Sequence, residues 1–191
     1  MKLVFATHNQ NKVKEVQLLM PKNITLLSLN DIDCFDEIAE TANTLKGNAQ
    51  LKADFVTEKY GYNCFADDTG LLVDSLNGEP GVFSARYAGE EKSTEANMAK
   101  LLKNLETKDN RVARFKTCIA LNIDAKKYKF EGEVEGIITK EKYGIDGFGY
   151  DPIFRPNGFD KTFAELPIEI KNKISHRGRA IQKLIKHLNL S

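Results

Sequence analysis

Two adjacent aspartates stand between two apolar runs near the middle of the chain, and any fold must accommodate both charges. Residues 64–66 form the first run and residues 71–73 the second. Asp67 and Asp68 lie between them, followed by a threonine and a glycine. We interpret the runs as a buried strand that enters a bend and a strand that leaves it. Neighbouring like charges repel, and burial raises the cost. The pair therefore predicts either a compensating divalent cation such as Mg²⁺ or a plain Asx turn, and the segment alone leaves both open.

Length and composition favour one soluble domain. The 191 residues carry a net charge of +1, which predicts no general attraction to nucleic acid or to a membrane surface. No apolar run has the length of a transmembrane helix, and the N-terminal apolar run is too short for a signal peptide. The three cysteines are scattered and lack the spacing of a metal site, so a reducing cytoplasm is expected. We therefore expect residues 1–191 to form a single cytoplasmic domain with two lobes.

Hydrophobic periodicity predicts an α/β fold in which strands alternate with helices. Strands are expected at residues 2–6, 24–29, 64–66, 71–76, 113–123 and 128–139. Helices are expected after Lys12, over residues 43–60 and 93–106, and near residues 167 and 175. The clean alternation of residues 113–123 and their neighbours 128–139 predicts a long antiparallel hairpin, so the sheet should be mixed.

A polar loop, residues 7–12, separates the first predicted strand from the first helix. Backbone N–H groups at a helix start, together with the helix dipole, attract phosphate groups, and Lys12 would add a positive charge. The glycines of a Walker loop are absent from this loop. The loop therefore predicts a phosphate site, or an ordinary helix start capped by Asn9 or Asn11.

Three further segments place polar groups at strand–helix junctions. Glu40 precedes the second long helix, where it favours the helix dipole or turns toward the paired aspartates. Residues 146–152 alternate glycines with aromatics, which suits a planar base or a glycine-rich turn with core aromatics. His176 and Arg177 follow a capping serine, with Lys171 nearby. Cations gain nothing from the dipole at a helix start, so they indicate an anionic or oxygen-rich ligand, or a solvated basic helix start.

Taken together and in this order, these segments resemble the inosine triphosphate pyrophosphatase family over essentially the whole chain. The matching residues are 6–12, 40–41, 48–49, 52–53, 66–71, 80–81, 84–87, 147–152, 164–166 and 175–177. The resemblance implies Mg²⁺-dependent hydrolysis of non-standard purine nucleoside triphosphates, ITP, dITP or XTP, to the monophosphate and pyrophosphate. It also implies an α/β fold with a long mixed β-sheet flanked by helices, two lobes with a central cleft, and a homodimer.

The resemblance further implies a role for each matched site residue. Asp68 would activate water, and Glu40 and Asp68 would hold Mg²⁺ with Asp67 beside them. The triphosphate would be bound by Thr7, His8, Asn9, Gln10, Asn11 and Lys12. Thr69 would touch the nucleotide. The purine and sugar would be received by Phe148, Gly149, Tyr150, Asp151, Lys171, His176 and Arg177.

Two residues depart from the family pattern. His8 stands where the family commonly has glycine, so the phosphate loop can differ in shape or gain a hydrogen-bond donor. Gly47 stands where the family often has glutamate, which removes one possible carboxylate near the metal. A glycine inside a helix also costs about 1 kcal/mol relative to alanine.

Two other functions are compatible with the sequence. One is a related pyrophosphatase that removes modified pyrimidine or methylated nucleotides. The other is a nucleotide-binding sensor without turnover, which would be expected to have lost a carboxylate, whereas Glu40, Asp67 and Asp68 are all present. A phosphatase with alternating aspartates is disfavoured because the two aspartates here are adjacent.

Overall fold

A computed structural model describes residues 1–189, and over that range the chain forms a mixed seven-stranded sheet and five α-helices. The strands are β1 (Lys2–Phe5), β2 (Thr25–Leu27), β3 (Cys64–Val73), β4 (Pro80–Gly81), β5 (Val112–Ile123), β6 (Lys126–Ile138) and β7 (Phe154–Pro156). The helices are α1 (Gln10–Gln17), α2 (Leu45–Tyr60), α3 (Thr94–Asn104), α4 (Ile168–Ile174) and α5 (His176–Asn189). The α/β class expected from the sequence is confirmed. None of the described helices is long and apolar enough to span a membrane.

The strands follow the order β2-β1-β3-β5-β6-β7, and β4 pairs with β3 outside this path. β1 is parallel to both β2 and β3, whereas β4 is antiparallel to β3 and β7 is antiparallel to β6. Asp124 and Ala125 join β5 to β6, with φ angles of 49° and 60°. Positive φ at both central residues is typical of the two-residue turn that matches strand twist. The long hairpin predicted from the alternating pattern is therefore confirmed.

The bend predicted at the paired aspartates is wrong, because β3 continues without a break from Cys64 to Val73. β1 pairs with the first residues of β3, and β4 pairs with residues near its end. Backbone pairing at both ends holds the intervening aspartates in extended conformation. Successive side chains of a strand point to opposite faces of the sheet, so Asp67 and Asp68 face away from each other. The strand thus separates two charges that a turn would have left side by side.

The residues after β3 also differ from the expected strand of residues 71–76. The strand ends at Val73, and Asp74–Leu76 form a 3₁₀ turn. β4 follows this turn and pairs antiparallel with the end of β3. An apolar run of this length cannot be assigned to strand or helix by periodicity alone.

The chain divides into two compact units. Unit 1 comprises Met1–Asp68, Thr117–Gly132 and residues 177–189. Unit 2 comprises Thr69–Lys116 and Glu133–His176. The expectation that residues 1–191 form one domain with two lobes stays a prediction.

Unit 1 has two apolar clusters, and its strands contribute alternate residues to each. Val4 and Ala66 belong to the cluster formed with α2. Phe5 and Phe65, whose rings stack with centroids 4.5 Å apart, belong to the cluster formed with α1 and α5. This alternation continues through β3, so it also determines which helices each aspartate can meet.

Unit 2 is built around aromatic side chains. Phe115 of β5 meets Phe154 edge to face at 4.7 Å between ring centroids, and Phe163 lies 5.2 Å from Phe154. Residues of α3 and the end of β3 complete the same core.

Gly136 of β6 pairs with Pro156 of β7, and the two backbones lie close together there. A Cβ atom at Gly136 would overlap the carbonyl oxygen of Arg155 and come within 2.9 Å of the Cα of Pro156. We expect Gly136→Ala to lower the free energy of unfolding by about 1–3 kcal/mol because backbone atoms must shift. Urea denaturation measures this loss. Glu135→Ala, a change at the exposed neighbour, is the control and should stay within about 0.5 kcal/mol. Equal urea midpoints for Gly136→Ala and Glu135→Ala would contradict the close backbone approach at Gly136.

Candidate active site

Asp67 forms the centre of a buried ion network in unit 1. Its Oδ1 accepts a hydrogen bond from Nζ of Lys12 at 2.8 Å, and its Oδ2 accepts one from Nε of Arg177 at 2.9 Å. Nη1 of Arg177 also donates to Oε2 of Glu15 at 2.6 Å. Asp67 is 1% exposed and Arg177 2% exposed, so both charges depend on these partners.

Asp68 meets a different set of residues, contributed by α2. Nδ2 of Asn48 donates to its Oδ2 at 3.2 Å. Nζ of Lys52 lies 3.9 Å from its Oδ1 and donates to Oε1 of Glu40 at 2.5 Å. Two carboxylates from distant segments, Glu40 and Asp68, therefore meet at one ammonium group.

The two aspartates experience opposite electrostatic environments. Burial alone would raise the pKa of Asp67, but Lys12, Arg177 and Lys52 together outweigh it and hold the pKa below its usual range. Burial raises the pKa of Asp68 above its usual range; Lys52 opposes this effect, and Glu40 adds to it. Neighbouring carboxylates whose environments move their pKa values apart are typical of sites that assign them different tasks.

Glu40 and Asp68 are the carboxylates of this network that could hold a cation. Lys12 and Arg177 contact Asp67, and Lys52 contacts both Glu40 and Asp68. Among residues 1–189 no group of three or more His, Cys, Asp or Glu side chains forms a metal cage. Mg²⁺ commonly binds through only one or two carboxylates and completes its shell with water and phosphate oxygens, so this donor set fits it.

Residues of the polar loop cap the N-terminus of α1. Oδ1 of Asn9 accepts hydrogen bonds from the backbone N–H groups of Asn11 and Lys12, so Asn9 is the N-cap. Oγ1 of Thr7 accepts from the N–H of Asn9 at 3.1 Å. Nε2 of His8 lies 2.9 Å from the carbonyl oxygen of Asp36. The capped-helix alternative is thus correct for Asn9, and phosphate binding by this loop stays a prediction.

In unit 2 the glycine-aromatic loop is organised by Asp151. Its Oδ2 accepts from the N–H of Phe148 at 2.8 Å and from Nζ of Lys171 at 2.5 Å. The Lys171 ammonium lies 5.0 Å from the centroid of the Phe148 ring. Gly147 has a φ of 76°, and a Cβ there would collide with the Asp151 carboxylate. The glycine therefore allows the loop to close over this buried ion pair.

Tyr150 and His176, two other predicted residues of this region, are buried in unit 2. Tyr150 is 5% exposed, and its hydroxyl donates to the carbonyl oxygen of Ser84 at 2.8 Å. The His176 ring stacks on Phe115 with centroids 4.5 Å apart. Phe148 is only half-buried, so it is the aromatic of the loop that can present a ring face to a ligand.

The structure thus brings the predicted residues together in two groups. Unit 1 holds Thr7, His8, Asn9, Gln10, Asn11, Lys12, Glu40, Asp68 and Arg177. Unit 2 holds Thr69, Phe148, Gly149, Tyr150, Asp151, Lys171 and His176. Arg177, predicted beside the purine, contacts Asp67 and Glu15.

Three network residues had no role in the sequence-based site: Glu15, Asn48 and Lys52. A signal for them existed, because each is a polar residue at a buried position of its helix. Asn48 and Lys52 lie four positions apart in α2, and Glu15 follows Lys12 by three in α1, so each pair shares a helix face.

Gly47 has a structural reason that the sequence did not reveal. A Cβ at this position would lie 2.6 Å from the Cβ of Ala42. The segment before α2 therefore packs directly on the first turn of the helix, which only a residue without a side chain permits.

The chain is similar to known proteins over nearly its whole length. A family model described as the Ham1 family matches residues 3–187. The dITP/XTP pyrophosphatase of Flavobacterium johnsoniae is 64% identical over 185 residues, covering 97% of this chain and 96% of the relative. The dITP/XTP pyrophosphatase of Bacillus subtilis is 47% identical over 189 residues, covering 97% and 96%. The solved structure of the Staphylococcus aureus Ham1 protein has a TM-score of 0.89 and 40% identity, covering 99% of this chain and 98% of that one.

Proposed function

The chain belongs to the Ham1 family, and from that premise we propose that it hydrolyses ITP, dITP and XTP to the monophosphate and pyrophosphate. The resemblance to inosine triphosphate pyrophosphatases found in the sequence is confirmed. Relatives that match nearly the whole chain are named dITP/XTP pyrophosphatase, so the chain is an enzyme of the nucleoside triphosphate pyrophosphatase class. Its role would be to remove non-standard purine nucleotides from the nucleotide pool. We also propose that the enzyme acts in the cytoplasm and forms a homodimer.

One observation supports the proposed chemistry most directly. Glu40 and Asp68 meet at Lys52, beside an Asp67 whose charge is already balanced by Lys12 and Arg177. A raised pKa, caused mainly by burial, favours proton uptake by Asp68. We therefore assign Asp68 the task of orienting a water molecule and accepting its proton, while Asp67 keeps its charge and holds the surrounding cations.

Glu40 and Asp68 would also hold Mg²⁺. A bound magnesium ion supplies positive charge that stabilises the negative charge developing on phosphate oxygens. Lys52 keeps the two carboxylates near each other, and its own positive charge limits their mutual repulsion. The sequence-based assignment of Mg²⁺ therefore rests here on the donor set and stays a proposal.

Phosphate binding is assigned to the start of α1. The positive end of its dipole lies at the N-cap Asn9, and the residues assigned to the phosphates precede or begin the helix there: Thr7, His8, Asn9, Gln10, Asn11 and Lys12. Burial and the nearby Lys52 and Arg177 lower the pKa of Lys12, and an incoming phosphate would favour its charged form.

Base recognition is assigned to unit 2, where Phe148 offers a ring face and Lys171 a hydrogen-bond donor. Hypoxanthine and xanthine carry an oxygen at C6, where adenine has an amino group. A buried donor that faces an amino group is left unsatisfied, which costs about 1–3 kcal/mol. Gly149, Asp151 and His176 would contribute to the same region. The contacts of Arg177 and Tyr150 favour supporting roles, in holding Asp67 and the loop respectively.

A substrate panel tests the proposal. We expect ITP, dITP and XTP to be hydrolysed at least about 10²-fold more efficiently than ATP. Hydrolysis in oxygen-labelled water should place the label on the monophosphate, because attack is proposed at the α-phosphorus. Label in free phosphate, or a preference for modified pyrimidine nucleotides, would contradict the proposal. Binding of ITP without turnover would favour the sensor alternative.

Metal removal gives a second test. A chelator in excess is expected to abolish hydrolysis of ITP, because Glu40 and Asp68 would then face the triphosphate without a cation. Added Mg²⁺ should restore it. The far-ultraviolet circular dichroism spectrum serves as the control and should not change. Undiminished hydrolysis in the chelator would contradict the assignment of a metal to these carboxylates.

A further inference from the structure

The side-chain amide of Asn48 joins two parts of the candidate active site in unit 1. Asn48 is 0% exposed and lies in the second turn of α2. Its Oδ1 accepts a hydrogen bond from the backbone N–H of Ala42 at 2.9 Å. Its Nδ2 donates to Oδ2 of Asp68 at 3.2 Å. One buried group thus contacts both a carboxylate of β3 and the segment that precedes α2.

The two partners require an amide at this position. The N–H of Ala42 needs an acceptor, and an ionised Asp68 needs a donor, so the orientation of the amide is fixed by its surroundings. An aspartate at position 48 would satisfy Ala42 but repel Asp68. An alanine would leave both partners without this contact, at no cost to the helix itself.

The segment contacted by Asn48 is the one that carries Glu40. Ala42 lies two residues after Glu40, and its Cβ packs against Gly47. Oγ1 of Thr44 accepts from the N–H of Gly47 at 3.0 Å and caps α2. The segment is therefore held on the first turn of α2, next to the helix position that holds Asp68.

We propose that Asn48 is a positioning residue that sets the Asp68 carboxylate and the Glu40 segment in fixed relation to each other. Lys52 donates a hydrogen bond to Glu40, but its ammonium lies 3.9 Å from Oδ1 of Asp68, a contact of charge that sets no direction for that carboxylate. The Asn48 amide adds direction, because its donor and its acceptor are held in fixed relation to each other within one rigid planar group. This inference rests on the proposed function, in which Asp68 and Glu40 act together.

Steady-state kinetics of Asn48→Ala test the proposal. We expect kcat for ITP to fall about 10–100-fold, the loss typical when a residue that orients a metal ligand is removed. KM should stay within about threefold, because Asn48 belongs to neither of the regions proposed to bind phosphate or base. Wild-type kcat in a folded Asn48→Ala variant would overturn the proposal.

Asn97 provides a matched control in unit 2. It is buried in α3, its Oδ1 accepts from the N–H of Ala88 at 2.6 Å, and its Nδ2 donates to the carbonyl oxygen of Ala85 at 2.9 Å. Asn97→Ala therefore removes a comparable buried amide whose hydrogen bonds go to backbone groups alone. Both variants should lower the melting temperature, and only Asn48→Ala should lower kcat at a temperature where both are folded. Equal losses of kcat would reduce Asn48 to a general structural residue.

Asn48→Asp separates the two contacts. It keeps the acceptor for Ala42 and replaces the donor to Asp68 with a negative charge. If orientation of Asp68 matters, its kcat should be as low as that of Asn48→Ala or lower. Wild-type kcat in Asn48→Asp would show that the contact with Ala42 alone accounts for the effect, and would overturn the proposed role toward Asp68.

Denaturation provides a measurement that does not depend on activity. The drop in urea midpoint caused by Asn48→Ala should be smaller when Asp68→Ala is already present, because their shared hydrogen bond is already lost. The Asn97→Ala drop should be the same in both backgrounds. If the drops in urea midpoint caused by Asn48→Ala and Asp68→Ala were additive, the hydrogen bond between the two side chains would be contradicted. If wild-type protein fails to hydrolyse ITP while positions 48 and 68 remain coupled, the proposed function falls and the structural link stands.

Discussion

Asp68→Asn is expected to lower kcat for ITP by about 10²–10⁴-fold, the usual contribution of a general base, while the protein stays folded. Asparagine has the same shape as aspartate and can still accept the hydrogen bond from Asn48. It cannot take a proton from water, and it is a weaker metal ligand than a carboxylate. The loss should therefore appear in turnover rather than in folding.

The stability of this variant follows from the direction of the pKa shift. Burial, with a further contribution from Glu40, raises the pKa of Asp68. A carboxyl group with a raised folded-state pKa stabilises the protein below its unfolded-state pKa, and this stabilisation is lost as the pH rises through the folded-state value. At neutral pH the ionised group is thus an electrostatic cost, and a neutral amide should leave the melting temperature unchanged or slightly higher.

Pyrophosphate release and thermal melting measure the two effects on one sample. Asp160→Asn, a change of the same kind at an exposed aspartate of unit 2, should match the wild type in both. Wild-type turnover in folded Asp68→Asn would remove Asp68 from the role of base. Loss of folding would show instead that the carboxylate is needed for structure.

Local sequence patterns predicted most of the strands and helices, but they did not predict that β3 runs straight through the paired aspartates. Strand alternation over residues 113–123 predicted the hairpin, and the helix expected over residues 93–106 corresponds to α3, for which Ser93 is the N-cap. At residues 67–70, by contrast, turn-forming residue types outweighed the apolar runs on either side. Pairing with β1 and β4 keeps that segment extended, and such pairing depends on residues far away in the sequence.

The site shows the same division between local and distant information. Lys12, Glu40 and Asp68 were predicted as site residues from their loop and strand-end positions. The partners of Arg177 are Asp67 and Glu15, which lie 110 and 162 residues away along the chain. No spacing rule reaches that far, so these two ion pairs could not be predicted from the sequence. Polar residues on a buried helix face, such as Asn48, are the local sign that a charged partner lies opposite.

Asp67→Asn is expected to have the opposite effect to Asp68→Asn, with its main loss in stability. Asp67 is buried and forms ion pairs with both Lys12 and Arg177. Neutralising it leaves two cations buried with less compensation, and loss of one partner from a buried ion network typically costs about 3–5 kcal/mol. Urea denaturation at neutral pH should show this loss, together with reduced turnover if Lys12 moves.

The pH dependence of this loss identifies its cause. Burial would raise the pKa of Asp67, but Lys12, Arg177 and Lys52 hold it below its usual range. Its contribution to stability is therefore present above the unfolded-state pKa, about 4, and is lost as the pH falls toward the folded-state value. The difference in free energy of unfolding between wild type and Asp67→Asn should accordingly be constant near neutral pH and should shrink below about pH 4. If this difference in free energy of unfolding stayed the same in acid, asparagine would be disturbing the packing and not the charge balance. The electrostatic contrast between Asp67 and Asp68 would then no longer explain their separate tasks.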